Sequence, residues 1–236
     1  MQARKKEGRK MISCIILAGG KSKRIIEEEA KKDKGKKTKK AKKAEPTTKP
    51  ITTSKAFIKL NKRPLVLHVF DTVKRFFPEV IVVVKTKKQQ TEMEKLIKGS
   101  NVAVVADKSK SFSPVIGIKA ALPYATGESV FVVGCDMPFV NGVTIFRLMN
   151  KMKKGIDCVV PSKLSEGKRR YEPLCAIYSK GVFRSSKDDE SLHDIIDRSK
   201  KLLVPMYDDS VFFNINTRED LKLAEKMLEG VKPGKK

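Results

Sequence analysis

The feature that most constrains the fold is a set of short, unbroken apolar runs. Ile12–Leu17, Val80–Val84 and Ser129–Gly134 are the clearest, and they carry almost no polar alternation. A strand that is apolar on both sides must be covered on both sides, which argues for a parallel sheet sandwiched between helices. Shorter runs of the same kind occur at 102–106, 157–160, 174–178 and 202–204. Between them lie stretches with helical patterning: one opened by Pro64, then 91–97, 114–122, 143–152, 192–197, and a last one opened by Thr217. The alternation predicts a three-layer, Rossmann-like α/β fold with a mainly parallel sheet. In such sheets ligands bind outside the carboxyl ends of the strands.

A chain of 236 residues is the size of one domain. The formal net charge of +25 is unevenly placed. Residues 1–10 read as a basic disordered extension, 25–53 as a Lys-rich insertion, and 230–236 as a disordered tail, leaving 11–229 as the domain. Two readings of the charge stand: a solvated segment, or a patch for nucleic acid, an anionic membrane or a polyanionic substrate. The basic segments flank or interrupt the fold, and no aromatic platform accompanies them, which argues against a Lys-rich nucleic-acid-binding protein. Cys14, Cys135, Cys158 and Cys175 form neither a CxxC pair nor a zinc spacing and read as reduced, buried thiols. No stretch of about 20 apolar residues suits a membrane span, and the first apolar run continues into a glycine turn unlike a signal peptide. A cytoplasmic protein is expected.

That turn, in Ile15-Ile16-Leu17-Ala18-Gly19-Gly20-Lys21-Ser22-Lys23-Arg24, joins a buried strand to small residues and then to cations. Its amides can face phosphate oxygens, and Lys21, Lys23 and Arg24 can neutralise them. It lacks the Walker A spacing. Asp136, in Gly134-Cys135-Asp136-Met137-Pro138, follows another strand. There it can hold Mg²⁺ against phosphates or simply cap a turn. Asp107 follows another apolar run and precedes Ser113-Pro114-Val115-Ile116-Gly117, where it reads as a strand-end turn residue or as an acceptor of hydrogen bonds at the ligand edge. Lys55 follows the insertion and reads as a phosphate ligand or as one more surface lysine. Asn214 and Asn216 share one side of an extended segment, with capping by Asn216 or Thr217 as the alternative for that region. Lys168, Arg169 and Arg170 read equally as a solvated loop and as a receiver of an anionic second substrate. His68 and His193 read as structural.

These motifs, in this order, resemble the nucleotidyltransferases related to molybdenum cofactor guanylyltransferase. Leu17–Arg24 is similar to their LAGGxSxR signature. Tyr171-Glu172-Pro173-Leu174-Cys175-Ala176-Ile177-Tyr178 is similar to their EPLxAxY strand, and Phe212–Leu221 to their FxNxNTPEDL segment. The likeness runs from Met11 to Leu228. The pattern departs at Ile25-Ile26, at Ser54 in place of an acidic residue before Lys55, and at Ser113, Val115 and Ile116.

The resemblance implies a sheet of the nucleotide-diphospho-sugar transferase type. The implied reaction is GTP plus molybdenum-bound molybdopterin giving the guanine dinucleotide cofactor and pyrophosphate. It implies Arg24, Lys55 and Asp136 as catalytic residues. Nucleotide contacts fall on Leu17, Ala18, Gly19, Gly20, Lys55, Asp107 and Asp136, with Mg²⁺ on Asp136. Glu172, Asn214 and Asn216 fall to the second substrate, and molybdoenzymes or cofactor-carrier proteins are the expected partners. The ending also resembles adenosylcobinamide-phosphate guanylyltransferases, which keeps that acceptor as a rival.

Overall fold

A computed structural model describes residues 11–20, 54–99, 101–107, 109, 111 and 113–230. The expected extension at 1–10, the insertion at 25–53 and positions 231–236 of the expected tail lie outside the described residues, as do Lys21, Lys23 and Arg24.

The strands are β1 (Ile12–Leu17), β2 (Lys59–Leu60), β3 (Arg63–Pro64), β4 (Val80–Val84), β5 (Val102–Ala106), β6 (Ser129–Gly134), β7 (Cys158–Ser165), β8 (Lys168–Tyr171), β9 (Cys175–Ser179) and β10 (Lys201–Pro205). The α-helices are α1 (Leu65–Val73), α2 (Lys87–Leu96), α3 (Pro114–Ala121), α4 (Gly142–Lys151), α5 (Lys180–Arg184), α6 (Leu192–Arg198) and α7 (Arg218–Gly230). The main sheet has the order β10–β7–β9–β6–β1–β4–β5, with β8 paired to β7. β1 lies parallel to both β4 and β6, β4 to β5, and β7 to β10. The mainly parallel α/β expectation therefore holds.

One apolar layer packs the even-numbered residues of β1, such as Cys14 and Ile16, with Val66 and Val69 of α1 and Ile145 of α4. The opposite layer packs Ile15, Ile81 and Val132 with Ile118 of α3 and Ile195 of α6. Burial of β1, β4 and β6 on both faces is what their unbroken apolar runs require. All four cysteines are buried and unbridged. No helix among the described residues is long and apolar enough to cross a membrane.

Three local features differ from the pattern-based reading. β9 runs antiparallel to β6 and β7, a direction that an apolar run does not encode. Lys168–Tyr171 is a strand, not a solvated loop. It is closed onto β7 through Glu166 and Gly167, both at positive φ (53° and 73°), as a tight primed turn requires. α2 begins at Lys87 rather than Thr91, because Thr86 and Gln89 form a reciprocal capping box ahead of any apolar signal.

Candidate active site

β1, β4, β5 and β6 all end at one edge of the sheet, and a cleft of about 210 Å³ opens there. Leu17 ends β1, and Ala18 is held under it by donating its N–H to the Val83 carbonyl at 2.7 Å. Gly19 and Gly20 follow. A Cβ added at Gly20 would meet nothing within 4 Å, and one at Gly19 would meet only ordinary contacts with Val84 and Lys85. Packing within the described residues does not demand glycine at either position. The bare backbone instead faces the open cleft, where a ligand can approach it closely.

The chain re-enters this turn directly after the insertion. The Ser54 hydroxyl donates to the Ala18 carbonyl at 2.7 Å, and the Lys55 N–H donates to the Gly20 carbonyl at 3.2 Å. Ser54, which departs from the acidic residue of the resembled pattern, is thus a buried stitch. The two ends of the 21–53 connection meet, and Lys55 stands beside the glycine turn despite the sequence between them.

From there the Lys55 Nζ donates to Asp136 Oδ2 at 2.6 Å and to Asn216 Oδ1 at 2.7 Å. The Lys55 and Asp136 side chains are only 11% and 18% exposed, so the pair is shielded from water without being sealed. Asp136 sits past the end of β6, where Cys135 donates its N–H to the Leu17 carbonyl at 3.1 Å. Gly134 leaves room for the carboxylate: a Cβ there would stand 2.4 Å from Asp136 Oδ1.

The 214–216 segment is fixed by the Ile215 N–H, which donates to the Asp136 carbonyl at 2.9 Å. The Ile215 side chain is buried with Leu60, Leu65 and Ala224. The flanking asparagines turn elsewhere: Asn216 to Lys55, and Asn214 to Glu172, where its Nδ2 donates to Oε2 at 3.1 Å. Capping of α7 falls to Thr217, whose Oγ1 accepts the Asp220 N–H while Asp220 accepts the N–H groups of Asn216 and Thr217. Glu172 also accepts the Leu174 N–H at 2.9 Å. Burial raises its carboxyl above the ordinary carboxylate range, against the pull of these two donors. Glu172 therefore holds Asn214 and the start of β9 in place.

At the far end of the cleft Asp107 is buried, its N–H bound to the Val84 carbonyl and its Oδ1 accepting the Ser109 N–H. Its Oδ2 accepts from Lys85 Nζ at 2.8 Å, and the same ammonium also reaches the Ser111 carbonyl. Ser113 caps α3 by accepting the Val115 N–H. Lys85 is a cleft residue that motif reading missed. The available signal was positional: it directly follows β4 at the ligand edge.

The arrangement offers bare amides, the Lys55 ammonium shared by Asp136 and Asn216, and at the distal end the buried Asp107 carboxylate paired with Lys85. Asp136 and Asn216 Oδ1 already converge on one cation, and such hard oxygen donors suit Mg²⁺ when phosphates complete the shell. Among the described residues no group of three or more His, Cys, Asp or Glu side chains is placed to hold a metal by itself. Arg24, the remaining expected site residue, is outside the described residues.

The family model described as the MobA-like NTP transferase domain matches residues 14–202. A protein from Desulfosudis oleivorans named molybdenum cofactor guanylyltransferase is 31% identical over 186 residues, covering 73% of this chain and 86% of that protein. A probable molybdenum cofactor guanylyltransferase from Pelotomaculum thermopropionicum is 28% identical over 233 residues, covering 94% and 95%. Among solved structures, a nucleotidyl transferase from Methanothermobacter thermautotroptrophicus shares the fold with a TM-score of 0.68. It is 18% identical, with 93% of this chain and 99% of that one covered. With both the cleft and these likenesses in view, the chain belongs to the MobA-like NTP transferase family, on the sheet of the nucleotide-diphospho-sugar transferases.

Proposed function

We propose that this protein transfers GMP from GTP to the terminal phosphate of molybdenum-bound molybdopterin, releasing pyrophosphate. The observation that carries the reading is the Lys55 ammonium, gripped by Asp136 and Asn216 while its own backbone is bound to Gly20. The pairing supports a cation in the cleft beside the glycine turn, at the edge where a nucleotide's phosphates would lie.

The chemistry needs charge control more than proton transfer. The nucleophile is a phosphomonoester with a second pKa of about 6, already mostly ionised near neutrality. No general base is required. The difficulty is holding two anions in line, which the Gly19–Gly20 amides, Lys55 and Arg24 address by neutralising the α-phosphate and the departing pyrophosphate. Asp107 accepts the N1–H and N2–H of guanine, held in place by Lys85 and the Ser109 amide. Mg²⁺ held by Asp136 and Asn216 would supply Lewis-acid stabilisation of the phosphoryl oxygens. Lys55 orients both oxygen donors and keeps them together between turnovers.

Molybdoenzymes or cofactor carriers are the expected recipients of the product. Four unbridged thiols suit a reducing, cytoplasmic setting. The deciding measurement is pyrophosphate release with each of the four nucleoside triphosphates, offered with molybdopterin or with cobinamide phosphate. The reading expects release with GTP and molybdopterin. Release with cobinamide phosphate alone would reassign the acceptor, and release with CTP alone would remove the guanylyl assignment.

A further inference from the structure

We infer that the β7–β8 hairpin is an anion subsite for the acceptor, with Lys168 and Arg170 as its specificity-determining cations; this rests on the transfer reading above. Strand order supplies the first argument. Along the ligand edge lie Asp107 after β5, Lys85 after β4, Gly19 after β1 and Asp136 after β6. A nucleotide spanning Asp107 to Asp136 occupies that half. The acceptor must then approach from the other half, over β9 and β7. With strands about 4.8 Å apart, β7 lies roughly 10 Å from β6 along the edge.

The hairpin is built to reach over that half. β7 pairs with β10 up to Ser162↔Pro205, and beyond that point its only ladder among the described residues is with β8. Register places Lys163 opposite Arg170 and Ser165 opposite Lys168, so Lys163, Lys168 and Arg170 share one face. Lys163 shows which face it is. Its Nζ binds Asp209 at 3.0 Å and lies 4.9 Å over the Phe212 ring, on the segment leading to Asn214 and Asn216.

The base of the hairpin is tied to the same place. β8 runs into Glu172, which holds Asn214. Arg169 is on the opposite face, across from Leu164 and next in parity to Tyr171, whose hydroxyl donates to Asp197 of α6. Lys168, Arg169 and Arg170 are all exposed, and Arg170 has only a loose 3.8 Å approach to Glu166. Two exposed cations on the acceptor side, Arg170 held only loosely by Glu166 among the described residues, fit a phosphomonoester whose body bears a second anionic group about two strand spacings from its phosphate. In the proposed reaction that group is the metal-bearing end.

Opposite faces provide a charge-matched control. Enzyme saturated with a GTP analogue that cannot be cleaved between its α- and β-phosphates is titrated with molybdenum-bound molybdopterin and with cobinamide phosphate, using wild type, K168E, R170E and R169E. Arg170→Glu is expected to raise the dissociation constant of the preferred acceptor about tenfold, with Lys168→Glu in the same direction. Arg169→Glu, the same change in net charge, should stay within about twofold because it is screened and faces away. Binding of the analogue should be unchanged in all three variants, which reports that they fold.

Unchanged acceptor binding in Arg170→Glu, or equal weakening by Arg169→Glu, overturns the subsite. Wild type that binds neither acceptor overturns both the subsite and the transfer reading. Hairpin-dependent binding without pyrophosphate release leaves the subsite standing and removes the transfer reading alone.

Discussion

Lys55 Nζ and Asp136 Oδ2 lie 2.6 Å apart although 81 positions separate the two residues. The contact joins the far side of the glycine turn to the end of β6, and Asn216 completes it from the last segment of the domain. Removing the carboxylate should therefore strip the cleft of its metal ligand and free the ammonium from its anchor. Asp136→Ala is expected to lower Mg²⁺-dependent pyrophosphate release by at least roughly 10³-fold. Substantial Mg²⁺-dependent turnover in this variant would show that another group binds the metal.

Gly134 tests the same carboxylate without touching it. An added methyl would stand 2.4 Å from Asp136 Oδ1, so Gly134→Ala must displace the carboxylate. A misplacement of this size is expected to reduce kcat by roughly tenfold to a hundredfold. The nucleotide dissociation constant should change far less, because Gly19, Gly20 and Asp107 are untouched. Steady-state kinetics beside equilibrium binding of GTP separates the two effects, and an unaltered kcat would contradict the geometry.

Glu172 gives the fold a pH signature. Burial holds its carboxyl above the ordinary value of 4.5. Between that value and the raised one, the native state keeps a proton that the unfolded chain has released. Its favourable contribution is complete below 4.5 and disappears as pH rises through the folded value. Glu172→Gln cannot titrate, so its stability relative to wild type should improve from pH 5 to pH 8. Denaturant midpoints at both pH values measure this, and a shift in the opposite direction would refute the buried-acid account.

The stitch between residues 18–20 and 54–55 bears on the long connection. With Ser54 bound to Ala18 and Lys55 to Gly20, the site's framework is closed on its own side. Replacing residues 27–51 with a short Gly/Ser linker retains Arg24 and relieves loop-closure entropy. Even a fivefold change in length is worth only about 1.4 kcal/mol. GTP binding should stay within about tenfold of wild type. Complete loss of binding would make the segment an integral part of the site.

Much of the parallel half could be read from the chain because its strands are buried on both faces, and Val80–Val84 or Ser129–Gly134 can do little else. Strand direction is a different matter. Leu174–Tyr178 reads as a buried strand whichever way it runs, and only pairing with β6 and β7 settles that β9 is reversed. β8 was illegible because Lys168-Arg169-Arg170 has no apolar signal, and its ladder comes from the partner strand and the turn.

In the site, Lys55, Asp107 and Asp136 could be singled out by their position after apolar runs or within a motif. Lys85 belongs to no motif and was missed. Asn216 reads from sequence as either cap or ligand contact; in the structure Thr217 and Asp220 cap α7 between them and the Asn216 side chain goes to Lys55.

The reversed strand also bears on how the sheet assembles. The parallel pairings join distant segments: Cys14 meets Val80 and Phe131, and each contact requires a long stretch of chain to close first. β7 and β8 meet five residues apart at Leu164↔Arg169, and β9 continues along the same edge at Cys158↔Tyr178. Hairpins of this kind close in about 1–10 μs, whereas non-local pairing must first meet its loop-closure entropy. Contact order therefore favours β7–β8–β9 as early structure in folding, an antiparallel template that offers β6 a ready edge before the crossovers bring β1 and β4 into register.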